Sequence, residues 1–253
     1  MTIAVLLKQV PDTTAKISVS GNRVDEGAVA KWSMSPYDEY ALESALQLKE
    51  SGGGDLVAIT AGPARCEKLL RDAAAVGADT LVHVSVDDIG ALDSTQVQAI
   101  LAAAVSKTGA NVVFCGKQAA DTNSGSTGPG VAEILNAACV TLVSEVSSDG
   151  GGFIATRPSA AGQEKVGVNS PCVFAFDKGL TEMRRPNVRG IMMAKKKPID
   201  VWSAADLGMD LGASTVTIEA HSPPAEKPPG QKFEGAASVP TVVSKLRDEA
   251  NVI

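Results

Sequence analysis

Aromatic side chains are scarce in this chain: five Phe, two Tyr and two Trp make up 4% of its 253 residues. A core with so few of them must rest on Ala, Val, Leu and Ile, and with 24 glycines that suits helices packed tightly over a parallel sheet. Histidine is rarer still. His83 and His221 lie far apart, and His83 falls inside the strand-like run TLVHVSV, which marks a packed rather than a catalytic histidine. No Ser/His/Asp hydrolase signature is present. Cys66, Cys115, Cys139 and Cys172 lack C-x-x-C spacing and give no zinc site; each lies in or beside an apolar element, so all are expected to be buried free thiols in a reducing compartment. No apolar run approaches the roughly 20 residues of a membrane span, and MTIAVLLKQV is too short and too soon charged for a secretory signal. The net charge of −6 offers no footprint for nucleic acid. A soluble protein without membrane insertion is expected.

What the chain does contain is alternation. Residues 3–7 (IAVLL) read as a buried strand, and residues 8–27 as a loop with a short hairpin around Ser20-Gly21-Asn22. Ser35 opens a helix: Pro36 takes the first helical position, Asp38 and Glu39 favour its positive end, and Ala41, Leu42, Ala45 and Leu46 form the buried stripe before Gly52-Gly53-Gly54. The cycle then repeats. Residues 56–60 are a second strand, 64–76 a helix closed by Gly77, and 81–86 a third strand; Asp93 or Ser94 starts a further helix through Lys107. This order predicts a doubly wound, mostly parallel α/β sheet of the Rossmann-like kind. Ligands of such sheets sit outside the carboxyl ends of the strands, so the loops after Leu7, Thr60 and Cys115 should converge with Ser35.

The organising stretch is 112–138, VVFCGKQAADTNSGSTGPGVAEILNAA. A strand through Val112, Val113 and Phe114 ends at Gly116, a polar loop follows, and a helix resumes at Pro129 with Val131, Ile134, Leu135 and Ala138 at one-face spacing. Ser126, Thr127 and Gly128 then stand at the helix mouth, where free N–H groups and the positive dipole end suit phosphate. The stretch is neither a Walker A loop nor G-x-G-x-x-G, and its spacing fits an ordinary capped connection equally well. Shorter strands are expected at 140–146, 153–157, 165–168 and 172–176, followed by an arginine-rich loop at 180–190 and the lysines Lys195, Lys196 and Lys197. Residues 222–235, SPPAEKPPGQKFEG, form a proline-rich linker, and 239–253 an amphipathic helix. The expected division is an α/β nucleotide-binding domain over 1–221 and an arm over 222–253.

Five stretches, in order and spanning nearly the whole chain, resemble the β subunit of electron-transfer flavoproteins. They are KQVPDT at 8–13, SMSPYDEYALESALQLKE at 33–50, AGPARCEKLLRDAAAVGAD at 61–79, GKQAADTNSGSTGP at 116–129 and LTEMRRPNVRGIMMAKKKPI at 180–199. The family's β-subunit signature is similar to RPSAAGQEKVGVNSPCVFA at 157–175, with Arg157, Gly162, Glu164, Val166, Pro171 and Val173 in register. The chain departs from the family at Ala160 and Ala161, and its loop reads DTNSGSTGP where many members carry three acids and Gln before Thr-Gly.

The resemblance implies an electron carrier without bond-making chemistry of its own, in a bacterial cytoplasm or, in a eukaryote, the mitochondrial matrix. It implies a heterodimer whose α subunit holds most of a redox-active FAD, while this subunit binds a second adenine nucleotide. That nucleotide is AMP in most members and a second FAD, reduced by NADH, in electron-bifurcating ones. The carried-over nucleotide positions are Leu6, Ser35, Pro36, Tyr37, Asp38 and Ala61, then Asp121, Thr122, Asn123, Ser124, Gly125, Ser126, Thr127, Gly128, Pro129, Gly130, Val131 and Ala132. IMMAKKK at 191–197 and Arg189-Gly190 resemble the AMP-binding members, whereas the missing acids after Asp121 leave room for a longer ligand. Residues 180–190, with Val188 as apolar anchor, would recognise an acyl-CoA or related dehydrogenase, as in fatty acid oxidation, and electrons would pass on to a quinone reductase or another acceptor. Glu164 would pair with an arginine of the α subunit, and the arm over 222–253 would clasp that subunit.

Overall fold

The computed structural model describes residues 1–226 and 229–253; Lys227 and Pro228, within the linker expected at 222–235, lie outside the described residues. The chain opens with β1 (Thr2–Leu6), whose continuous apolar run is buried on both faces. Then come β2 (Gln9–Pro11), the hairpin of β3 (Val19–Ser20) and β4 (Arg23–Val24) turning at Gly21 with φ +59°, and β5 (Trp32–Met34), which pairs back onto β2. Helix α1 (Pro36–Gly52) leads to β6 (Asp55–Gly62), and α2 (Glu67–Val76), entered through a 3₁₀ turn at Ala64–Cys66, leads to β7 (Thr80–Ser85). Helix α3 (Ser94–Thr108) starts with a reciprocal Asp93 and Gln96 capping box and leads to β8 (Val112–Gly116).

The second half runs through α4 (Thr127–Ile134) and β9 (Ala138–Val143) into a separate antiparallel sheet of β10 (Glu145–Asp149), β11 (Gly152–Ser159) and β12 (Gly162–Val168). It returns through β13 (Cys172–Phe176), α5 (Val188–Lys196) and β14 (Asp200–Trp202), and ends in α6 (Val239–Asp248). The central sheet has seven strands in the order β14-β7-β6-β1-β8-β13-β9, all paired in parallel. From β1 the chain builds outward through β6 and β7, then crosses over α3 to β8 on the other side. The winding therefore reverses between β1 and β8, and the fold is doubly wound α/β as expected.

Alternation along the strands divides the core in two. Ile3, Val5 and Phe114 face α1 and α2, while Ala4, Leu6 and Val113 face α3 and α4. The scarce aromatics are concentrated: four of the five Phe residues, Phe114, Phe153, Phe174 and Phe176, form one cluster with ring centroids 5.4–5.9 Å apart. It lies where the antiparallel sheet meets the central one, so a core otherwise built of small residues is filled by rings at its widest join.

Several local expectations need correction. Helix α4 begins at Thr127, so Pro129 is its third residue rather than its first; a proline is tolerated there because the first-turn N–H groups have no partner one turn back. Ala138 is not on that helix: the chain turns at Asn136 with φ +48° and enters β9. The strand expected at 140–146 is broken, because Ser144 gives both its N–H and its hydroxyl to Thr156 O and turns the chain into the second sheet. Cys66, Cys115 and Cys172 are buried free thiols as expected, but Cys139 is exposed, since β9 is an edge strand. Val188 to Gly190, expected in a loop, form the first turn of α5, which Asn187 Oδ1 caps by accepting Gly190 N–H at 2.7 Å.

Residues 209–221 make a strap over the start of α3. Gln96 donates to Leu211 O at 2.9 Å, Asp93 accepts the N–H and hydroxyl of Thr215 at 2.8 Å each, and His221 Nδ1 accepts Val24 N–H at 3.2 Å. Beyond His221 no described residue of α6 is buried. Among the described residues no helix is long and apolar enough to cross a membrane.

Phe114, fully buried and in contact with two other rings, is expected to dominate the join. Phe114→Ala should cost about 3–5 kcal/mol by lost transfer energy and cavity formation. A lowered urea midpoint at unchanged slope is the expected result.

Candidate functional site

The carboxyl ends of β1 and β8 are adjacent, and the chain leaves them in opposite directions, which opens a crevice at the point of reversal. The first turn of α1 closes over that gap. Asp38 Oδ2 accepts the N–H of Lys8 at 2.7 Å and its Oδ1 accepts the N–H of Gly116 at 2.9 Å, so one carboxylate ties the ends of both strands. Burial pushes the Asp38 carboxyl up to about 7, against the pull of the two N–H donors. Expected to favour the helix dipole and, by the resemblance, to line the nucleotide site, Asp38 is in the structure a cross-link between the ends of β1 and β8. Gly116 must be glycine: a Cβ there would lie 2.5 Å from Asp38 Oδ1 and 2.7 Å from Tyr37 Cβ.

The polar loop after β8 is pinned at both ends. Lys117 reaches Asp177 at 2.8 Å and lies 4.8 Å from the Tyr37 ring centroid, and Lys8 Nζ bridges the crevice to Asp121 at 2.8 Å. Gln118 donates to Asn123 Oδ1 at 2.8 Å, and the loop turns through positive φ at Asn123 (+52°) and Gly125 (+67°). At its far end Gln98 of α3 donates to Ser126 O at 3.1 Å. Gly128 is buried, and a Cβ on it would lie 2.9 Å from Cys115 Sγ and 3.2 Å from Ala175 Cβ; a Cβ on Gly130 would collide with Gln98. The two glycines thus let the first turn of α4 pack closely on β8, β13 and α3, and Ser126 makes no side-chain cap there.

One buried polar atom at this crevice stands unmatched. Ser35 is fully buried, and its Oγ has no hydrogen-bond partner among the described residues. An orphaned hydroxyl at the start of a helix that closes a crevice is a position for a ligand atom.

The structure brings together most of the positions expected from sequence. Leu6 is buried at the end of β1, Ala61 lies half-buried near the end of β6, and Ser35, Pro36, Tyr37 and Asp38 form the turn between them and β8. Asp121, Thr122, Asn123 and Ser124 are exposed, Gly125, Ser126 and Thr127 half-buried, and Pro129, Gly130, Val131 and Ala132 continue into α4. Val188 and Glu164 stand elsewhere. Val188 is 75% exposed on α5, which packs on α2, and Glu164 on β12 accepts from Arg157 of its own chain at 2.6 Å. His83 is packed, its Nε2 2.8 Å from Gly62 O. Among the described residues no group of three metal-binding side chains occurs.

Sequence reasoning missed Lys8, Gly116 and Gln98 as parts of the site. Lys8 and Gly116 carried a signal, each being the first residue to break an apolar strand at its carboxyl end. Gln98 carried none, since its role depends on α3 lying beside α4.

The proton balance of Asp38 predicts a pH signature. Its folded pKa lies above the ordinary 3.8, so the folded chain binds this proton more readily; stability from this group is full below about pH 4 and is lost as pH rises to about 7. Asp38→Asn should flatten that fall, and should itself cost about 1–3 kcal/mol because its amide turns a donor toward one of the two N–H groups. Urea unfolding from pH 4.5 to 8 measures both effects, and parallel slopes for the two proteins would contradict the assignment.

Comparison with known proteins bears on the family. The "Electron transfer flavoprotein domain" family profile matches residues 27–207, which include α1, the polar loop and α5. The chain is 35% identical over 260 residues to the electron transfer flavoprotein subunit beta of Bacillus subtilis, covering 100% of both chains. It is 34% identical over 255 residues to that of Bradyrhizobium diazoefficiens, again covering 100% of both, and 34% identical over 252 residues to that of Homo sapiens, covering 97% of this chain and 96% of the human one. Similarity at this level along the full length, on a doubly wound sheet with the expected crevice, settles the family: the chain belongs to the electron transfer flavoprotein beta subunits.

Proposed function

We propose that this chain is one half of an electron-carrying heterodimer, holding AMP in the β1/β8 crevice and completing the surroundings of an FAD held mostly by an α subunit. The observation that carries the reading is the orphaned Ser35 Oγ at the start of the helix that closes the β1/β8 crevice. Ser126 to Gly130 would receive a phosphate, with Thr127 as hydroxyl donor, and Leu6, Ala61 and the Ser35 turn would enclose the rest of the nucleotide. When bound, FAD supplies the redox chemistry; the residues of this chain bind, orient and exclude water.

Two surfaces supply partners in this reading. On α5, Val188 and Met192, one turn apart, are 75% and 61% exposed, an apolar face suited to docking an acyl-CoA or related dehydrogenase, with a quinone reductase or another acceptor taking the electrons onward. The amphipathic α6, with Val239, Val243 and Leu246 exposed, supports an arm that begins after His221 and clasps the α subunit. Glu164 would contribute to the same subunit interface. The compartment is a bacterial cytoplasm or an organelle matrix.

A second reading rests on the exposed run Thr122 to Ser124, which carries no charge beyond Asp121, itself engaged by Lys8. That leaves space for a pyrophosphate ligand, as in a bifurcating flavoprotein with a second FAD. Nucleotides released from denatured heterodimer decide between them. One FAD and one AMP, with no flavin reduction by NADH, is the expected result; two FAD, one reduced by NADH, would move the chain into the bifurcating class. Truncation after Gly235 should weaken the heterodimer and release FAD on gel filtration, and an intact, fully flavinated truncated complex would refute the clasp.

A further inference from the structure

The eleven residues between β13 and α5 have no regular structure, yet they deliver the first turn of α5 to a defined place. One side chain does most of this. Arg184 donates its backbone N–H to Glu43 Oε2 at 3.0 Å, its Nε to the same oxygen at 3.0 Å and its Nη2 to Glu43 Oε1 at 2.9 Å. The same guanidinium grips Glu50 through Nη1, and through Nη2 at 3.1 Å. Glu43 and Glu50 are seven residues apart on α1, two turns along one helix face, so a planar fork can span both carboxylates. Glu43 is only 3% exposed and also accepts from Gln47 at 3.0 Å. Burial opposes its ionisation, but the hydrogen bonds from Arg184 outweigh this and hold it below its ordinary range.

The other end of α5 is anchored independently. Arg71 of α2 donates to Ala194 O at 2.9 Å and also to Lys197 O, and Lys197 Nζ reaches Ala78 O at 2.6 Å. The exposed face bearing Val188 and Met192 is thus mounted between α2 at one end and the Arg184 knot on α1 at the other. Arg184 and Arg185 are adjacent, but only Arg185 is exposed to meet a partner.

We infer that Arg184 is a positioning residue for docking: clamped by Glu43 and Glu50, it holds the α5 face in the orientation a partner dehydrogenase meets. This rests on the reading of α5 as the docking face. Without the clamp, the first turn of α5 must be ordered at each encounter, and that cost falls on association. Lysine in its place keeps the charge but cannot span two carboxylates.

The test uses the intact heterodimer and an acyl-CoA dehydrogenase reduced by its acyl-CoA substrate. Glu43→Gln is the informative variant, because Glu43 is buried and cannot touch the partner. Glu43→Gln, Arg184→Lys and Arg184→Ala should each raise KM for the heterodimer about fivefold or more, with kcat, flavin spectrum and nucleotide content unchanged. Amide hydrogen exchange over residues 180–190 should rise in all three, with the urea midpoint as a check on the fold. Unchanged exchange there overturns the clamp. Raised exchange with wild-type KM overturns its role in docking. Val188→Ala, made in parallel, separates the two readings: if it leaves KM unchanged, α5 is not the docking face and the inference falls with that reading, whereas raised KM in Val188→Ala alone removes the clamp and keeps the face.

Discussion

The carboxylate of Asp38 is the contact on which the rest of the crevice depends. Where a doubly wound sheet reverses, the chains leaving two neighbouring strands diverge, and the first backbone N–H groups past the ladder lose their strand partners. Asp38 accepts both of these, from Lys8 and Gly116, and so converts a splayed sheet edge into a fixed floor. The cost is a buried carboxylate, which the positive end of α1 and two short hydrogen bonds offset in part. Its presence dictates its neighbours. Gly116 can carry no side chain, and Ser35 is held under the first turn of α1 with its hydroxyl facing no protein partner.

Helix α1 then acts as a common beam. Its first turn closes the crevice through Asp38, and its later turns carry Glu43 and Glu50, which receive Arg184 from the segment leading to α5. The crevice and an exposed apolar face, distant along the chain, are thereby mounted on one rigid element. Helix α2 supports the other end of that face through Arg71, and the close approach of Gly190 to Ala75 O leaves no room for a side chain between the helices. For the function proposed above this arrangement has a physical merit: a partner docking on α5 would meet a surface whose geometry relative to the crevice is set by packed helices rather than loops.

The strap over α3 shows the same economy at the opposite edge. Asp93 and Gln96 cap their own helix and also bind residues 211–215, so two side chains start α3 and hold the strap that leads to His221. Past His221, α6 keeps its apolar stripe exposed.

Much of this was legible in the sequence, because it is written in near neighbours. The apolar runs of β1 and β8, the proline start of α1, the Asp93 and Gln96 pair opening α3 and the glycine ends of α1 and α2 each depend on residues within a turn or two, and the alternation they make forces the doubly wound sheet and the place of its crevice. The misreadings arose where a distant partner decided the outcome. Cys139 is exposed because among the described residues no strand pairs with the outer edge of β9, the strand at 140–146 breaks because Ser144 bonds to Thr156, and α4 starts early because Gly128 fits against Cys115 and Ala175. The sequence by itself determined the fold class, the family and the stretches that meet at the crevice. Only the tertiary structure decided that Asp38 binds Gly116 78 residues away and that Arg184 belongs to Glu43 141 residues away, because such contacts form between segments that folding alone brings together and leave no period in the chain to read.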